Sequence, residues 1–191
     1  MIRRSLSILL LAAICASVLT VAGPASATSD YRPDAWIKLC GLSTGCTLHP
    51  LPHPWRGNDI YNTTGSGQSL DIKIEEGEGV RYWITFQNDG ALADTLRVQG
   101  CKGNGHFTVN RVVLGEVKRP DAGATKVTSK FLDGTLSFNL AAASPTSKAV
   151  ITLNMIATTK KQGVSYRCPI TVSSAADPTL KDTISARMTT I

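Results

Sequence analysis

The amino-acid sequence predicts an all-β fold in which antiparallel strands pack as a β-sandwich. From Leu70 onward, apolar residues recur at every second position, as in the run Val80, Tyr82, Ile84 and Phe86. This alternation is typical of half-buried strands. No stretch after residue 27 has a convincing apolar stripe of helical period, so no helix is expected in the domain.

The alternation divides into short strands separated by turn-forming residues. The predicted strands are Ala35–Leu39, Leu70–Ile74, Val80–Phe86, Thr95–Val98, Phe107–Leu114, Val127–Phe131, Thr135–Leu140, Ala149–Ile156, Val164–Val172 and Thr183–Met188. Between them lie segments such as Asn88-Asp89-Gly90 and Asp133-Gly134, which suit tight turns. Strands in this number, laid back and forth, pack naturally as a sandwich of immunoglobulin-like topology.

The N-terminal region before these strands has two parts. A basic start, an apolar run from Leu6 to Val21 and small residues before Ala27 match a secretory signal, so residues 1–27 are predicted to be a signal peptide. Residues 28–191 are then a single secreted domain with no membrane span. Within it, the segment His49–Trp55 is a Pro-rich excursion that should be extended and lie on the surface.

Five cysteines occur, and one of them, Cys15, leaves with the predicted signal. The remaining four are an even set in an oxidising compartment, which predicts two disulfides in one of three connectivities. We favour Cys40 with Cys46, which closes a short flexible loop, and Cys101 with Cys168. The second bridge joins elements 67 positions apart and contributes roughly 4 kcal/mol in the chain-entropy model. A zinc site is less favoured because no C-x-x-C spacing occurs.

The charge pattern argues against nucleic-acid binding. The chain has 20 Lys and Arg against 14 Asp and Glu, and its net charge of +6 falls by two when Arg3 and Arg4 are removed. The remaining basic residues are scattered and form no concentrated patch.

No catalytic or metal-binding motif is evident, so we expect a protein that is not an enzyme and has no cofactor. There are three histidines and no G-x-S-x-G or H-E-x-x-H motif. His49 and His53 lie four apart in an extended segment, which points two imidazoles poorly at one metal ion. The third histidine, His106, is not near them in the sequence.

Calcium is the more plausible ion for an exported sandwich. Asp59, Asp89 and Asp94, together with Asn58 and Asn88, are oxygen donors in predicted loops. The same side chains stabilise turns, and no D-x-D-x-D-G spacing is present. We therefore expect no metal site at these residues.

Tryptophans are the candidate ligand-binding residues, because an exposed indole can stack on a sugar ring or anchor a protein partner. Trp36 lies in an apolar strand and is expected in the core. Trp83 occupies the polar phase of its strand and should face away from the core, where it is either exposed or covered by the N-terminal excursion. Trp55, in the Pro-rich excursion, should be the most exposed of the three.

Three segments resemble known bacterial sequences. They are Tyr31–Ile37, Asn58–Gln68 and Trp83–Gly90. Together they resemble a β-sandwich module of large secreted or surface proteins, and the last is similar to the strand and Asn-x-Gly turn of cell-adhesion-related (CARDB) domains. The resemblance implies an immunoglobulin-like sandwich over nearly the whole mature chain and carries no catalytic residues.

These observations favour a secreted, non-enzymatic β-sandwich that mediates adhesion or envelope interactions through a protein or glycan partner at the cell surface. The alternative is a carbohydrate-binding module for extracellular polysaccharide, with Trp55 and Trp83 as stacking platforms. A hydrolase assembled from residues distant in sequence is the third hypothesis. An aromatic strip would favour the second, and a histidine beside a serine or an acid in a cleft would favour the third.

Overall fold

The computed structural model describes residues 30–42, 54–116 and 123–191, which form two packed β-sheets. Sheet A contains β1 (Pro33–Leu42), β3 (Gly79–Asn88), β5 (Phe107–Leu114) and β7 (Lys148–Ala157), in the order β1-β3-β7-β5. Sheet B contains β2 (Ser69–Ile74), β4 (Asp94–Gln99), β6 (Leu136–Leu140), β8 (Ser165–Ser174) and β9 (Lys181–Thr190), in the order β2-β9-β8-β4-β6. The predicted all-β sandwich is confirmed.

The connections differ from those the turn residues suggested. From β1 to β8 each strand lies in the other sheet from its predecessor, and within the described part of the chain only β8 and β9 are consecutive strands paired as a hairpin. The turns therefore mostly carry the chain from one sheet to the other. In addition, β2 pairs with β9 in parallel, whereas the sequence predicted antiparallel strands throughout. Alternation shows that each strand has one buried face, and it does not show which strand lies beside it.

The core fills the space between the two sheets. Its largest fully buried side chains include Tyr82 and Phe86 of β3, Phe107 of β5 and Leu153 of β7. Successive residues of a strand point to opposite faces, so the other half of each strand faces outward from the sandwich. Each sheet therefore has an outer face of its own.

The predicted Cys101–Cys168 disulfide is present and buried. Cys168 lies in β8 and Cys101 follows β4, and their Cα atoms are 5.2 Å apart. Cys40 is also disulfide-bonded. Its predicted partner Cys46 lies outside the described residues, as do His49, His53 and the predicted signal peptide.

One predicted strand is wrong. In place of a strand at Val127–Phe131, the chain forms the short helix α1 (Thr128–Asp133), which ends at Gly134 in the left-handed conformation. Val127 and Phe131 are both buried and lie four residues apart, a spacing that puts them on one face of a helical turn. The apolar pair in a short window fits either period, and packing against the core decides for the helix. Within the described residues, no helix has the length and apolar character needed to cross a membrane.

Candidate functional site

The three sequence segments that carry the family resemblance meet at one edge of the sandwich. Asp34 comes from β1, Asp59 from the loop before β2 and Asp89 from the residues after β3. We call these three, together with Asp182 of β9, the acidic cluster. The Tyr61 hydroxyl donates a hydrogen bond to Asp89 at 2.7 Å and lies 3.3 Å from the Asp59 carboxylate. Tyr61 thus connects two of the carboxylates.

Asp182 organises the buried side of the acidic cluster. Its carboxylate accepts hydrogen bonds from the backbone N–H groups of Ala35 (2.9 Å), Asn62 (3.1 Å) and Thr183 (2.8 Å) and from the Gln68 side-chain amide (2.9 Å). These donors come from β1, from the loop before β2 and from β9. The Asp182 carboxylate therefore connects that loop to β1 of sheet A and to β9 of sheet B.

Asp34 is the least compensated member of the acidic cluster. It is fully buried, and its Oδ1 atom has no hydrogen-bond partner within the described part of the chain. Burial, followed by the negative charges of Asp89 and Asp182, raises the pKa of Asp34 from 3.8 to about 8. Burial also raises the pKa of Asp182 and, together with the hydrogen bond to Asp89, that of Tyr61. Asp34 consequently holds a proton near neutral pH.

The calcium donors considered from the sequence do not come together as a set. Asp59 and Asp89 lie around Tyr61, whereas the Asn88 side chain bonds to its own turn, donating to the Leu92 carbonyl at 2.6 Å and accepting from the Gly90 N–H at 3.0 Å. Across residues 30–42, 54–116 and 123–191, no group of three His, Cys, Asp or Glu side chains is arranged to hold a metal ion. The acidic cluster acts as a clamp, because its hydrogen bonds hold the loop before β2 against the two sheets.

The candidate ligand-binding residues lie elsewhere, on the outer face of sheet A. Trp55 is held beside the edge strand β1 because the backbones of Arg56 and Ile37 exchange two hydrogen bonds, of 2.8 and 2.9 Å. The Trp55 ring packs edge-on against Trp36, with ring centroids 6.3 Å apart and an interplanar angle of 83°. Trp36 is buried, as expected, at 6% exposed. It alternates with Ala35 and Ile37, which face the space between the sheets, and therefore lies on the other face of β1.

Lys38 joins the tryptophans into one surface. It lies directly opposite Trp83 in the β1–β3 pairing, and its ammonium is 5.7 Å from the Trp55 ring centroid and 5.9 Å from that of Trp83. The Lys148 ammonium lies 4.9 Å from the Trp36 ring. We call Trp36, Trp55, Trp83, Lys38 and Lys148 the tryptophan face. Distances within about 6 Å allow favourable cation–π contacts.

The tryptophan face has the properties of a contact surface. Trp55 and Trp83 are both half-buried, so part of each indole is open to solvent. The indole N–H of Trp83 is buried and has no acceptor within the described residues. Partly exposed aromatic rings beside cations provide apolar area, ring faces and hydrogen-bond donors at one place.

The structure thus brings together the two tryptophans that the sequence singled out. Trp55, predicted to be the better exposed of the two, is half-buried like Trp83. Sequence reasoning missed Lys38 and Lys148. Lys38 could have been found, because it follows Trp36 by two positions in the same strand and therefore shares its face. His106, the one histidine among the described residues, is exposed.

No protein-family model matches the sequence, and no curated protein matches it. The resemblance to CARDB domains therefore stays a prediction.

Several solved structures are distant matches. A cohesin module from a family 33 glycoside hydrolase of Clostridium perfringens is 8% identical over 62% of this chain and 91% of the module, with a TM-score of 0.38. The PapD-like domain 7 of human CEP192 is 12% identical over 64% of this chain and 78% of that domain, with a TM-score of 0.31. A family 123 glycoside hydrolase from Clostridium perfringens is 14% identical over 64% of this chain, with a TM-score of 0.35, and this chain spans 23% of its length.

Proposed function

We propose that this protein is an exported, non-catalytic binding module that takes part in adhesion or envelope interactions, and that the tryptophan face contacts its partner. The observation that carries the proposal is the meeting of Trp55 and Trp83, both partly open, around the Lys38 ammonium on one outer sheet face. The buried Cys101–Cys168 disulfide supports a location outside the cytoplasm, since such bridges persist in oxidising compartments.

A glycan partner is the second candidate, and the tryptophan face itself favours it. Indole rings stack on the apolar faces of sugars, and lysine ammonium groups donate to sugar hydroxyl or carboxylate oxygens. A protein partner would use the same rings as anchors in its own pocket.

Binding of the oxidised exported protein (residues 28–191) to an array of glycans and cell-wall polysaccharides tests both. The Trp55→Ala and Trp83→Ala variants should bind at least about tenfold more weakly, as expected for aromatic anchors. Leu92→Ala is the matched control, because Leu92 is a large exposed apolar residue, 47% exposed, outside the tryptophan face.

The outcomes separate the alternatives. Binding to the glycan array that is lost in the Trp55→Ala and Trp83→Ala variants identifies a glycan partner. Silence on the array, followed by capture of an envelope protein that Trp83→Ala fails to capture, identifies a protein partner. Equal binding by wild type and both tryptophan variants, to every partner found, would refute the role of the tryptophan face.

A further inference from the structure

Two arginines face each other on the outer face of sheet B. In the β8–β9 pairing Arg167 lies directly opposite Arg187, and in the β9–β2 pairing Arg187 lies directly opposite Asp71. A single carboxylate thus accompanies two guanidinium groups in one row across three strands. Like charges placed directly opposite on a sheet are unfavourable unless something neutralises them.

The neutralisation within the row is weak. Arg187 approaches Asp71 at 3.9 Å, and both side chains are about half exposed or more, at 50% and 64%. Exposed ion pairs of this kind contribute little. Arg167 donates from Nε to the Ser185 hydroxyl at 2.8 Å and from Nη2 to the Thr64 carbonyl, which uses only part of its donor set. Arg167 is therefore fixed in place while both guanidinium groups retain donors.

The arginines line a depression of about 670 Å³ whose opposite wall is the loop before β2. Gly65 brings that loop close, since a Cβ atom at this position would lie 2.8 Å from Arg167 Nη2, and its φ of 70° also favours glycine. Ser66, Ser69 and Ser165 add hydroxyl groups to the lining. A volume of this size is in the range of small-molecule sites, about 300–1,000 Å³.

We propose that this depression, the arginine pocket, binds an oxyanion carried on a sugar, with Arg167 and Arg187 holding the oxyanion and the serine hydroxyls contacting the sugar. Guanidinium groups match the oxygen spacing of phosphate and carboxylate and bind them in bidentate fashion. An anion between the two arginines also removes the unfavourable like-charge pairing. The arginine pocket lies on the outer face of sheet B, whereas the tryptophan face lies on the outer face of sheet A. This proposal therefore does not depend on the proposed function.

Three sugars that share one ring test the proposal: glucose 6-phosphate, glucuronate and neutral glucose. Binding to the oxidised exported protein is followed by NMR chemical-shift titration at low ionic strength. We expect at least one of the two anionic sugars to bind with a Kd of about 1 mM or tighter, and glucose at least tenfold more weakly. The stronger of the two anionic sugars identifies the oxyanion as phosphate or carboxylate.

Variants make the test specific. Arg187→Gln should weaken anionic-sugar binding about tenfold, and Asp71→Asn should strengthen it severalfold because it removes the competing carboxylate. Arg97→Gln, an exposed arginine on β4 of the same sheet, is the matched control and should leave binding unchanged. Arg187 and Asp71 are exposed, so neither change should unfold the protein.

Two results would overturn the proposal. One is the absence of any preference for the anionic sugars over glucose, and the other is an equal loss of affinity in Arg187→Gln and Arg97→Gln, which would indicate a general charge effect. Because neither result involves Trp55 or Trp83, failure of this proposal is distinguishable from failure of the proposed function.

Discussion

Strand β1 contributes to two regions of opposite character. Its first residues supply Asp34 to the acidic cluster, where Asp34 and Asp182 are buried and Asp182 is saturated with hydrogen bonds. Two and four positions further on, Trp36 and Lys38 belong to the tryptophan face, where indole rings meet through cation–π and edge contacts. The hydrogen-bonded acidic cluster therefore stabilises the conformation, whereas the tryptophan face leaves part of its aromatic surface open to solvent.

The largest expected effect is from Asp182→Ala. The substitution leaves buried donors from Ala35, Gln68 and Thr183 without their acceptor, and we expect the free energy of unfolding to fall by about 3–5 kcal/mol. Denaturant-induced unfolding measures it. Asp177→Ala is the control, since Asp177 accepts its two bonds from nearby Thr179 at the surface, and it should change stability little. A loss below about 1 kcal/mol in Asp182→Ala would contradict the clamp role.

Stability should next depend on pH through Asp34. Its pKa is about 8 in the folded protein, against 3.8 as the ordinary value. Between these pH values the folded protein keeps a proton that the unfolded chain has lost, so raising the pH favours unfolding. The contribution of protonated Asp34 to the free energy of unfolding is complete below about pH 4. It decreases as the pH rises from 4 to 8 and is lost above about pH 8. The total decline across this window is on the order of a few kcal/mol.

Thermal unfolding measured from pH 4 to pH 9 checks this dependence. The Asp34→Asn variant cannot titrate at this position, so its stability should decline much less with pH. Asp182, whose pKa is also raised by burial, leaves a smaller residual slope. A slope that is identical in wild type and Asp34→Asn would assign the pH dependence to other groups.

A smaller effect is expected from Asn62→Ala. The Asn62 side-chain oxygen accepts hydrogen bonds from the N–H groups of Thr64 (3.0 Å), Gly65 (2.7 Å) and Ser66 (3.2 Å), which shapes the loop that the acidic cluster holds. We expect a loss of about 1–2 kcal/mol. Hydrogen exchange reads it locally, since these three amides should exchange about tenfold faster while those of β7 exchange as before. Unchanged protection at all three would contradict the role of Asn62.

The smallest effect is expected on the tryptophan face. The Trp83 indole N–H is buried without an acceptor among the described residues, so Trp83→Phe removes an unsatisfied donor and retains an aromatic ring. Thermal unfolding should show stability unchanged within about 0.5 kcal/mol. A loss of about 2 kcal/mol or more would show that the indole N–H is satisfied and that this region also stabilises the fold.

The strands were predictable because the side chains that face the other sheet must be apolar, and that requirement is visible as alternation of apolar residues in the sequence of β3. The short helix α1 was not, since a single buried pair, Val127 and Phe131, fits a strand or a helical turn equally well. The sequence also did not predict which strands lie next to each other in each sheet. The parallel pairing of Ser69 with Ser185 joins residues far apart in the chain, and no local pattern records it.

The candidate site was predictable in its residue types only. Trp83 was expected to face outward because it occupies the polar phase of β3, and it does. That Trp55 would pack on Trp36 depends on the backbone pairing of Arg56 with Ile37, which tertiary structure creates. The acidic cluster was hidden for the same reason, because its carboxylates come from four separate segments of the chain.

The position of β9 in sheet B determines when this sheet can form completely during folding. This strand comes last in chain order among those described, yet it lies between β2 and β8. Until residues 181–190 are available, β2 has no partner in its sheet and sheet B is incomplete. Pairing across such long loops is slow, because loop closure costs entropy before any contact compensates for it. In a chain exported N-terminus first, sheet B would be completed only after β9 emerges on the far side of the membrane.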